Sequence, residues 1–156
     1  MRIEEAIQQK KFENEYQKLS INLLFTASQV SIYQQRFFRE YGLTLPQYNV
    51  LRILRGQKGN PIGVNNLGSR MIDKTSNASR LVEKLRVKNL VERNVCSDDR
   101  RQLEVTITKE GLQLLEEMDK EMYRVDEMYS ALDASEAKLM NDLFDKLRTA
   151  EAFKNI

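Results

Sequence analysis

The 156 residues, of which 41% are hydrophobic and 31% charged, suffice for one compact domain and are too few for a large catalytic domain with appendages. The chain has no histidine and a single cysteine, Cys96, so it lacks the usual zinc ligands, the commonest acid/base catalyst and any intrachain disulfide. We therefore expect no enzyme, no cofactor and no metal site. No segment has the roughly 20 apolar residues of a membrane span, and the charged N-terminus is unlike a signal peptide, which predicts a cytoplasmic protein without a membrane partner.

The net charge of +2 conceals an uneven distribution. Residues 1–69 and 70–101 each hold nine Lys and Arg against five Asp and Glu, whereas residues 110–156 hold six against twelve. A basic middle beside an acidic tail favours a surface that attracts a polyanion. An ordinary mixed surface is the alternative that charge alone leaves open.

The first predicted element is a long amphipathic helix from about residue 10 to Tyr41, since this segment contains no Gly or Pro. About 30 residues at ~1.5 Å each give roughly 45 Å, longer than so small a domain is wide, so part of its apolar side should contact a partner chain. The apolar positions at helical spacing are Phe12, Tyr16, Leu19, Leu23, Ala27, Val30, Tyr33 and Phe37.

A second helix follows, because Thr44 and Gln47 form a capping box and the apolar pattern continues to about Arg55. Residues 56–63 contain three glycines and a proline, which predicts a connecting loop. The next helix is short, and its inward side consists of Val64, Leu67 and Met71.

Asp73 is expected to cap a further helix that runs to Lys88 and ends at Asn89 in the left-handed conformation. The hydrophobic period then changes from 3.6 to 2, which predicts a two-stranded hairpin. Its tip, residues 96–102, lacks the Asn-Gly pair of a tight turn, so we expect a longer loop. The inward positions of the two strands are Val91, Val95, Leu103, Val105 and Ile107.

Two helices complete the predicted chain. One runs from Thr108 to about Tyr129, and a capping box of Asp133 and Glu136 opens the other. The first and last helices carry more apolar surface than a small core can cover, which favours a homodimer with two-fold symmetry. The apolar positions of the last helix are Leu139, Met140, Leu143, Phe144 and Leu147.

A short helix, a turn, a second helix and a hairpin follow one another as in a winged helix-turn-helix, whose second helix enters the major groove of double-stranded DNA. We therefore expect residues 62–108 to contact DNA, and we call this segment the reading head. Small hydroxyl groups allow close approach, while Asn can pair with adenine, Arg with guanine and Lys with phosphate. A merely solvated face is the alternative, although such a face would favour Glu and Lys over poor helix formers. The predicted contacts on this helix are Lys74, Thr75, Ser76, Asn77, Ser79, Arg80 and Lys84.

The hairpin tip adds Asp99, Arg100 and Arg101 to these candidates. A narrow minor groove attracts arginine, and a carboxylate can hold one guanidinium extended, so the wing would clamp the flank of the DNA site. A solvated turn is the alternative for these three residues.

Two runs make a family resemblance specific: DKTSNASRLVEKL, from Asp73 to Leu85, and DRRQLEVTITKEG, from Asp99 to Gly111. Together with LTLPQY at residues 43–48, they resemble the MarR family of bacterial regulators. The family's wing signature, Asp-x-Arg, five residues and Leu-Thr, falls on Asp99, Arg101, Ile107 and Thr108, with Ile in place of Leu.

The resemblance implies one mostly α (α+β) domain over residues 1–156. Residues 43–108 would be the winged helix-turn-helix with a two- to three-stranded wing, and 1–42 and 109–156 the long dimerisation helices. It further implies obligate homodimers, palindromic operators and repression relieved by a small molecule or by oxidation. The resemblance assigns base contacts to Ser76, Asn77, Ser79 and Arg80, and minor-groove insertion to Arg101 braced by Asp99.

A pocket for a small aromatic effector is a further hypothesis, although aromatic residues at helical spacing are also typical of a plain core. Two other functions stay open: a winged-helix module for protein contact, and a redox-responsive regulator acting through Cys96. The candidate pocket residues are Tyr16, Phe25, Tyr33, Phe37 and Tyr48.

Overall fold

The structure, a computed structural model, describes residues 1–95 and 103–153. Short 3₁₀ turns lie at Glu127–Tyr129 and Glu151–Phe153. The mostly α fold predicted from the sequence is confirmed. The strands are β1 (Ile62–Gly63), β2 (Val91–Val95) and β3 (Leu103–Ile107). The helices are α1 (Ile3–Ala6), α2 (Glu15–Glu40), α3 (Leu45–Arg55), α4 (Val64–Arg70), α5 (Ala78–Val87), α6 (Lys109–Asp119), α7 (Tyr123–Asp126) and α8 (Ala134–Leu147).

The three strands form one antiparallel sheet in the order β1-β3-β2. Val91 pairs with Ile107, and Ile62 pairs with Val105. The alternation of apolar and polar residues places Val105 in the core, where it is wholly buried. The predicted hairpin is confirmed, with β1 as a short third strand.

The core lies where α3, α5 and α6 pack with the sheet. α3 packs against both α5 and β3, and the apolar residues of α3 at helical spacing lie between these two elements. This core fixes the position of α5 relative to the rest of the chain. Its wholly buried side chains include Val50, Leu51, Leu67, Val82, Leu85, Val105, Leu115 and Met118.

Two helices reach beyond this core. α8 contains no buried residue, and α2 buries only Phe37 and Phe38, near its C-terminal end. On α8, Leu139 and Leu143 are 58% and 54% exposed. The apolar stripes predicted for the first and last helices are thus left uncovered within a single chain.

Arg124 joins α7 to the C-terminal end of α2. Its guanidinium donates to both carboxylate oxygens of Glu40, at 2.8 and 2.9 Å, and to Glu121 at 2.8 Å. The guanidinium also lies 5.3 Å from the centre of the Phe37 ring. The backbone carbonyl oxygen of Arg124 accepts a hydrogen bond from the Tyr33 hydroxyl at 3.0 Å. Hydrogen bonding from Arg124 lowers the pKa of the Glu40 carboxyl, and the same bonds raise the pKa of the guanidinium.

Local capping chemistry accounts for several helix ends. The capping boxes of Thr44 with Gln47 and of Asp133 with Glu136 are both formed. Asn89 has a φ of 57° after α5, in the left-handed region that ends a helix. These predictions are confirmed because each depends on residues that are three or four positions apart.

The predicted start of α5 is wrong. Asp73 does not cap the helix; its carboxylate accepts hydrogen bonds from Thr75 and Ser76, which close a separate turn. The helix begins at Ala78 and is capped by Asn77, whose side-chain oxygen accepts an N–H of the first turn at 2.9 Å. Asp, Ser and Thr side chains compete with the helix for backbone hydrogen bonds, and here they prevail.

Two other helix boundaries also differ from the prediction. α2 begins at Glu15 rather than near residue 10, because Asn14 accepts hydrogen bonds from the first turn. α6 ends at Asp119 rather than at Tyr129. Glu121 and the following residues bond to carbonyls three positions earlier, which tightens the backbone and turns the chain toward α2.

Gly111 provides a test of the packing between α6 and the sheet. A Cβ at this position would lie 2.3 Å from the Leu90 carbonyl oxygen and 2.8 Å from Cγ1 of Ile107. We expect Gly111→Ala to lower the free energy of unfolding, measured by urea denaturation, by about 1–3 kcal/mol, because backbone atoms must move. The control Gly68→Ala places its Cβ 3.5 Å from that of Ala78, an ordinary contact. Equal unfolding midpoints for the two variants would contradict this account.

Candidate nucleic-acid interface

The helix-turn-helix consists of α4 and α5. Leu67 on α4 and Val82 and Leu85 on α5 are wholly buried, so these side chains fix how both helices lie on the core. A Cβ built on Gly68 would be only 3.5 Å from the Cβ of Ala78, which shows how closely the two helices approach. The opposite side of α5 faces outward.

The turn between α4 and α5 is held by a compact set of hydrogen bonds. The Asp73 carboxylate accepts the Thr75 N–H at 2.9 Å and the Thr75 and Ser76 hydroxyls at 2.7 Å each. The side-chain bonds from Thr75 and Ser76 lower the pKa of the Asp73 carboxyl. Lys74 donates to the Ser69 carbonyl at the end of α4. These hydrogen bonds, all within the protein, therefore hold the turn in one conformation.

Asn49 on α3 supports the same turn from behind. Its side-chain oxygen accepts the N–H of Ile72 at 2.9 Å. Sequence reasoning missed this residue, because nothing local links two positions 23 residues apart. The bond ties the start of the turn to the core helix.

The structure brings together the sequence-predicted contacts that it describes. Ser79, Arg80 and Lys84 are exposed on α5. Ser76, predicted to lie on the same helix as Arg80 and Lys84, precedes that helix and is partly buried. Three other predicted contacts are exposed in the turn before α5: Lys74, Thr75 and Asn77. The remaining predicted residues lie outside the described ranges: Cys96, Asp99, Arg100 and Arg101.

The outward side of α5 is electrostatically positive. Its one acidic residue, Glu83, is paired with Arg86 at 2.8 Å and with Arg93 at 3.7 Å, and hydrogen bonding from Arg86 lowers the pKa of its carboxyl. Among residues 1–95 and 103–153, Arg80 and Lys84 have no acidic partner. An unneutralised cationic face beside short polar side chains is suited to a polyanion.

The five candidate effector residues do not all lie around one cavity within the chain. Phe37 and Tyr48 are buried in the core, whereas Tyr16 is 83% exposed. Tyr16 and Phe37 are 21 positions apart on α2, which corresponds to about 30 Å. Phe25, between them, is partly buried. A cavity of about 230 Å³ at the α2–α7 joint has Tyr33 and Phe37 in its wall, together with Arg36, Glu40 and Arg124.

Residues 1–95 and 103–153 contain neither a membrane-spanning helix nor a cluster of metal ligands. None of the helices there combines the length and hydropathy needed to cross a bilayer. Within the same ranges, no group of three Cys, Asp or Glu side chains is placed to hold a metal ion.

The chain is similar to a family of known proteins and to one regulator in particular. The family model for the MarR family matches residues 43–103. The chain is also similar to the HTH-type transcriptional regulator SarZ of Staphylococcus epidermidis, with 30% identity over 101 residues, or 64% of this chain and 67% of the relative.

Solved structures show the same likeness. A cysteine-to-serine variant of MarR from E. coli, complexed with operator DNA, superposes with a TM-score of 0.76 at 20% identity, over 88% of this chain and 99% of the other. BpsR of Bordetella bronchiseptica, whose DNA binding is regulated by 6-hydroxynicotinic acid, superposes with a TM-score of 0.71 at 26% identity, over 83% and 93% of the two chains.

The hydrogen bonds of the turn predict its pH dependence. Because the folded-state pKa of Asp73 is lowered, the turn is fully held above the ordinary Asp pKa of about 3.9 and is released as the pH falls through the folded-state value. We expect Ser76→Ala to raise the Asp73 titration midpoint, followed by carboxyl ¹³C NMR, because one donor to the carboxylate is lost. Ser130→Ala, which removes a remote hydroxyl, serves as the control. A midpoint that Ser76→Ala does not move would rule out this role.

Proposed function

The chain belongs to the MarR family of transcriptional regulators, and we propose that it represses transcription by binding a palindromic operator as a cytoplasmic homodimer. Members of this family are DNA-binding transcription factors and not enzymes. In our proposal, residues 43–108 contact the DNA, while residues 1–42 and 109–156 join the two protomers. A small aromatic molecule releases the complex.

The observation that supports DNA binding most directly is the outward side of α5. Arg80 lies in the first turn of that helix, next to Ser79, and the N-terminal residues of a recognition helix are those that reach base edges. Arg80 would pair with a guanine in the major groove, and Lys84 with a phosphate. MarR from E. coli, which shares this fold, is known in complex with operator DNA, and this supports DNA binding as the function of the fold here.

The turn residues Lys74, Thr75, Ser76 and Asn77 would lie against the DNA beside α5. The Asn77 cap fixes the orientation of its amide, whose N–H groups have no hydrogen-bonding partner among residues 1–95 and 103–153. The wing residues Asp99, Arg100 and Arg101 belong to the same proposal as a clamp in the adjacent minor groove, although they lie outside the described residues.

The homodimer is supported by the uncovered apolar surface. α8 is a helix of 14 residues that buries no side chain, and isolated helices of that length are marginal in water. On α2, Leu19 and Leu24 are 50% and 69% exposed. A second copy would cover both stripes, and two-fold symmetry would place the recognition helices about 34 Å apart, one DNA turn.

Release by a small molecule is supported by BpsR, whose DNA binding 6-hydroxynicotinic acid regulates. In this chain the ion pair of Arg124 and Glu40 connects two flanking helices, α7 and α2, and α2 in turn packs against α3, which contacts α5. Since Tyr16 and Phe37 lie about 30 Å apart on α2, a pocket that includes all five candidate aromatic residues would need the second protomer.

Base recognition is tested with Arg80→Ala. We expect it to weaken operator binding by roughly 1–3 kcal/mol, about fivefold to 150-fold, and to relax the preference at one base pair, because a bidentate contact to guanine is lost. The measurement is fluorescence anisotropy on fragments selected from the source genome. Lys120→Ala, a cation at the end of α6, is the control. An affinity equal to that of the control would exclude Arg80 as a base contact.

Dimerisation is tested with Leu139→Asp on the apolar side of α8. We expect this variant to sediment as a monomer at concentrations at which the unsubstituted chain is a dimer, because a charge would be buried without a partner. Asn141→Asp adds the same charge outside the apolar stripe and is expected to remain dimeric. If both variants sediment alike, α8 is not the dimer surface.

A further inference from the structure

A basic groove of about 600 Å³ lies on the flank of α5, where that helix meets the turn between α2 and α3. Lys84 and Lys88 line one wall of the groove, and Arg39 lines the other. Glu83 also reaches the groove, but its carboxylate is already paired with Arg86. Glu83 is therefore not available to neutralise the positive charge of Arg39, Lys84 and Lys88.

The cations of α5 form a continuous stripe. Arg80, Lys84 and Lys88 follow one another at intervals of four residues, so they lie along one side of the helix. From the first to the last, the stripe rises about 12 Å. The major groove is also about 12 Å wide, so when Arg80 reaches a base edge, the far end of the stripe lies near the phosphates that border the groove.

Lys88 is held in place without being neutralised. Its ammonium donates to the Gly42 carbonyl oxygen, in the turn where Gly42 has a φ of +67°. An ammonium carries three N–H donors, so two remain for another acceptor. Arg39 stands three positions before Gly42, in the last turn of α2, and its side chain has no hydrogen-bonding or ionic partner in the described part of the chain.

We propose that Arg39, Lys84 and Lys88 bind neighbouring backbone phosphates of the DNA along this groove, with one phosphate for each cation. The inference rests on the proposed function and extends it to two residues outside the predicted reading face. The groove is continuous with that face through Lys84, and its charge complements a phosphodiester. Because Arg39 belongs to α2, the DNA backbone would contact a helix of the proposed dimer interface as well as the reading head.

The salt dependence of DNA binding tests this proposal. We will compare the unsubstituted chain with Arg39→Gln and Lys88→Gln on a mixed-sequence duplex of about 30 base pairs, roughly three helical turns. Each phosphate contact contributes about 0.9 to the slope of log K against log salt, and a dimer presents each residue twice. We expect each substitution to reduce the slope by about 1.8 and to weaken operator and mixed-sequence binding by the same factor. A double variant, Lys120→Gln with Lys138→Gln, removes cations from α6 and α8 and should leave the slope unchanged.

Two further measurements separate binding from folding. Arg39→Gln removes no hydrogen bond that the structure shows within the described ranges, so its thermal unfolding midpoint should match that of the unsubstituted chain. Lys88→Arg keeps the charge and should restore the slope that Lys88→Gln loses. Slopes in both Gln variants equal to that of the control would overturn the inference while leaving DNA binding intact. Failure of the unsubstituted chain to bind any duplex would instead overturn the proposed function, and this inference with it.

Discussion

The burial of Val82 and Leu85 is the constraint on which the rest of the reading head depends. Both side chains are completely removed from solvent, and they fix the rotation of α5 about its own axis. One apolar side of a helix can face the core only if the other faces outward, so these two residues determine that Arg80 and Lys84 are exposed. A rotation of α5 by one residue would expose valine and bury arginine, at a large cost in desolvation.

Much of the fold follows from the sequence because its signals are local. Helical spacing in α3, the capping box at Thr44 and the left-handed Asn89 each involve residues within one helical turn. The start of α5 could not be predicted in the same way. Asp73 has the chemistry of a helix cap and of a turn; in the structure it closes a turn with Thr75 and Ser76, and Asn77 caps the helix.

Only the part of the candidate site that has local sequence signals could be predicted. The exposed polar residues of α5 are apparent from their spacing, whereas the support from Asn49 depends on a contact across the fold. For the aromatic residues, spacing alone did not distinguish between two interpretations. Phe37 and Tyr48 have the spacing expected of either a core or a pocket, and the structure places both in the core. The charged joint at Arg124 carries no local signal, since Glu40 is 84 positions away.

The order of the turn before α5 affects the thermodynamics of DNA binding. Asp73 and Asn49 already restrict the backbone there, so the chain does not lose that conformational freedom when it meets DNA. The entropy lost on binding is then confined mainly to long exposed side chains such as Arg80 and Lys84, at about 0.5–1.5 kcal/mol each. The described part of the reading head, α4 and α5 with the turn between them, would associate as a nearly rigid body, so diffusion and charge rather than folding would set its encounter rate.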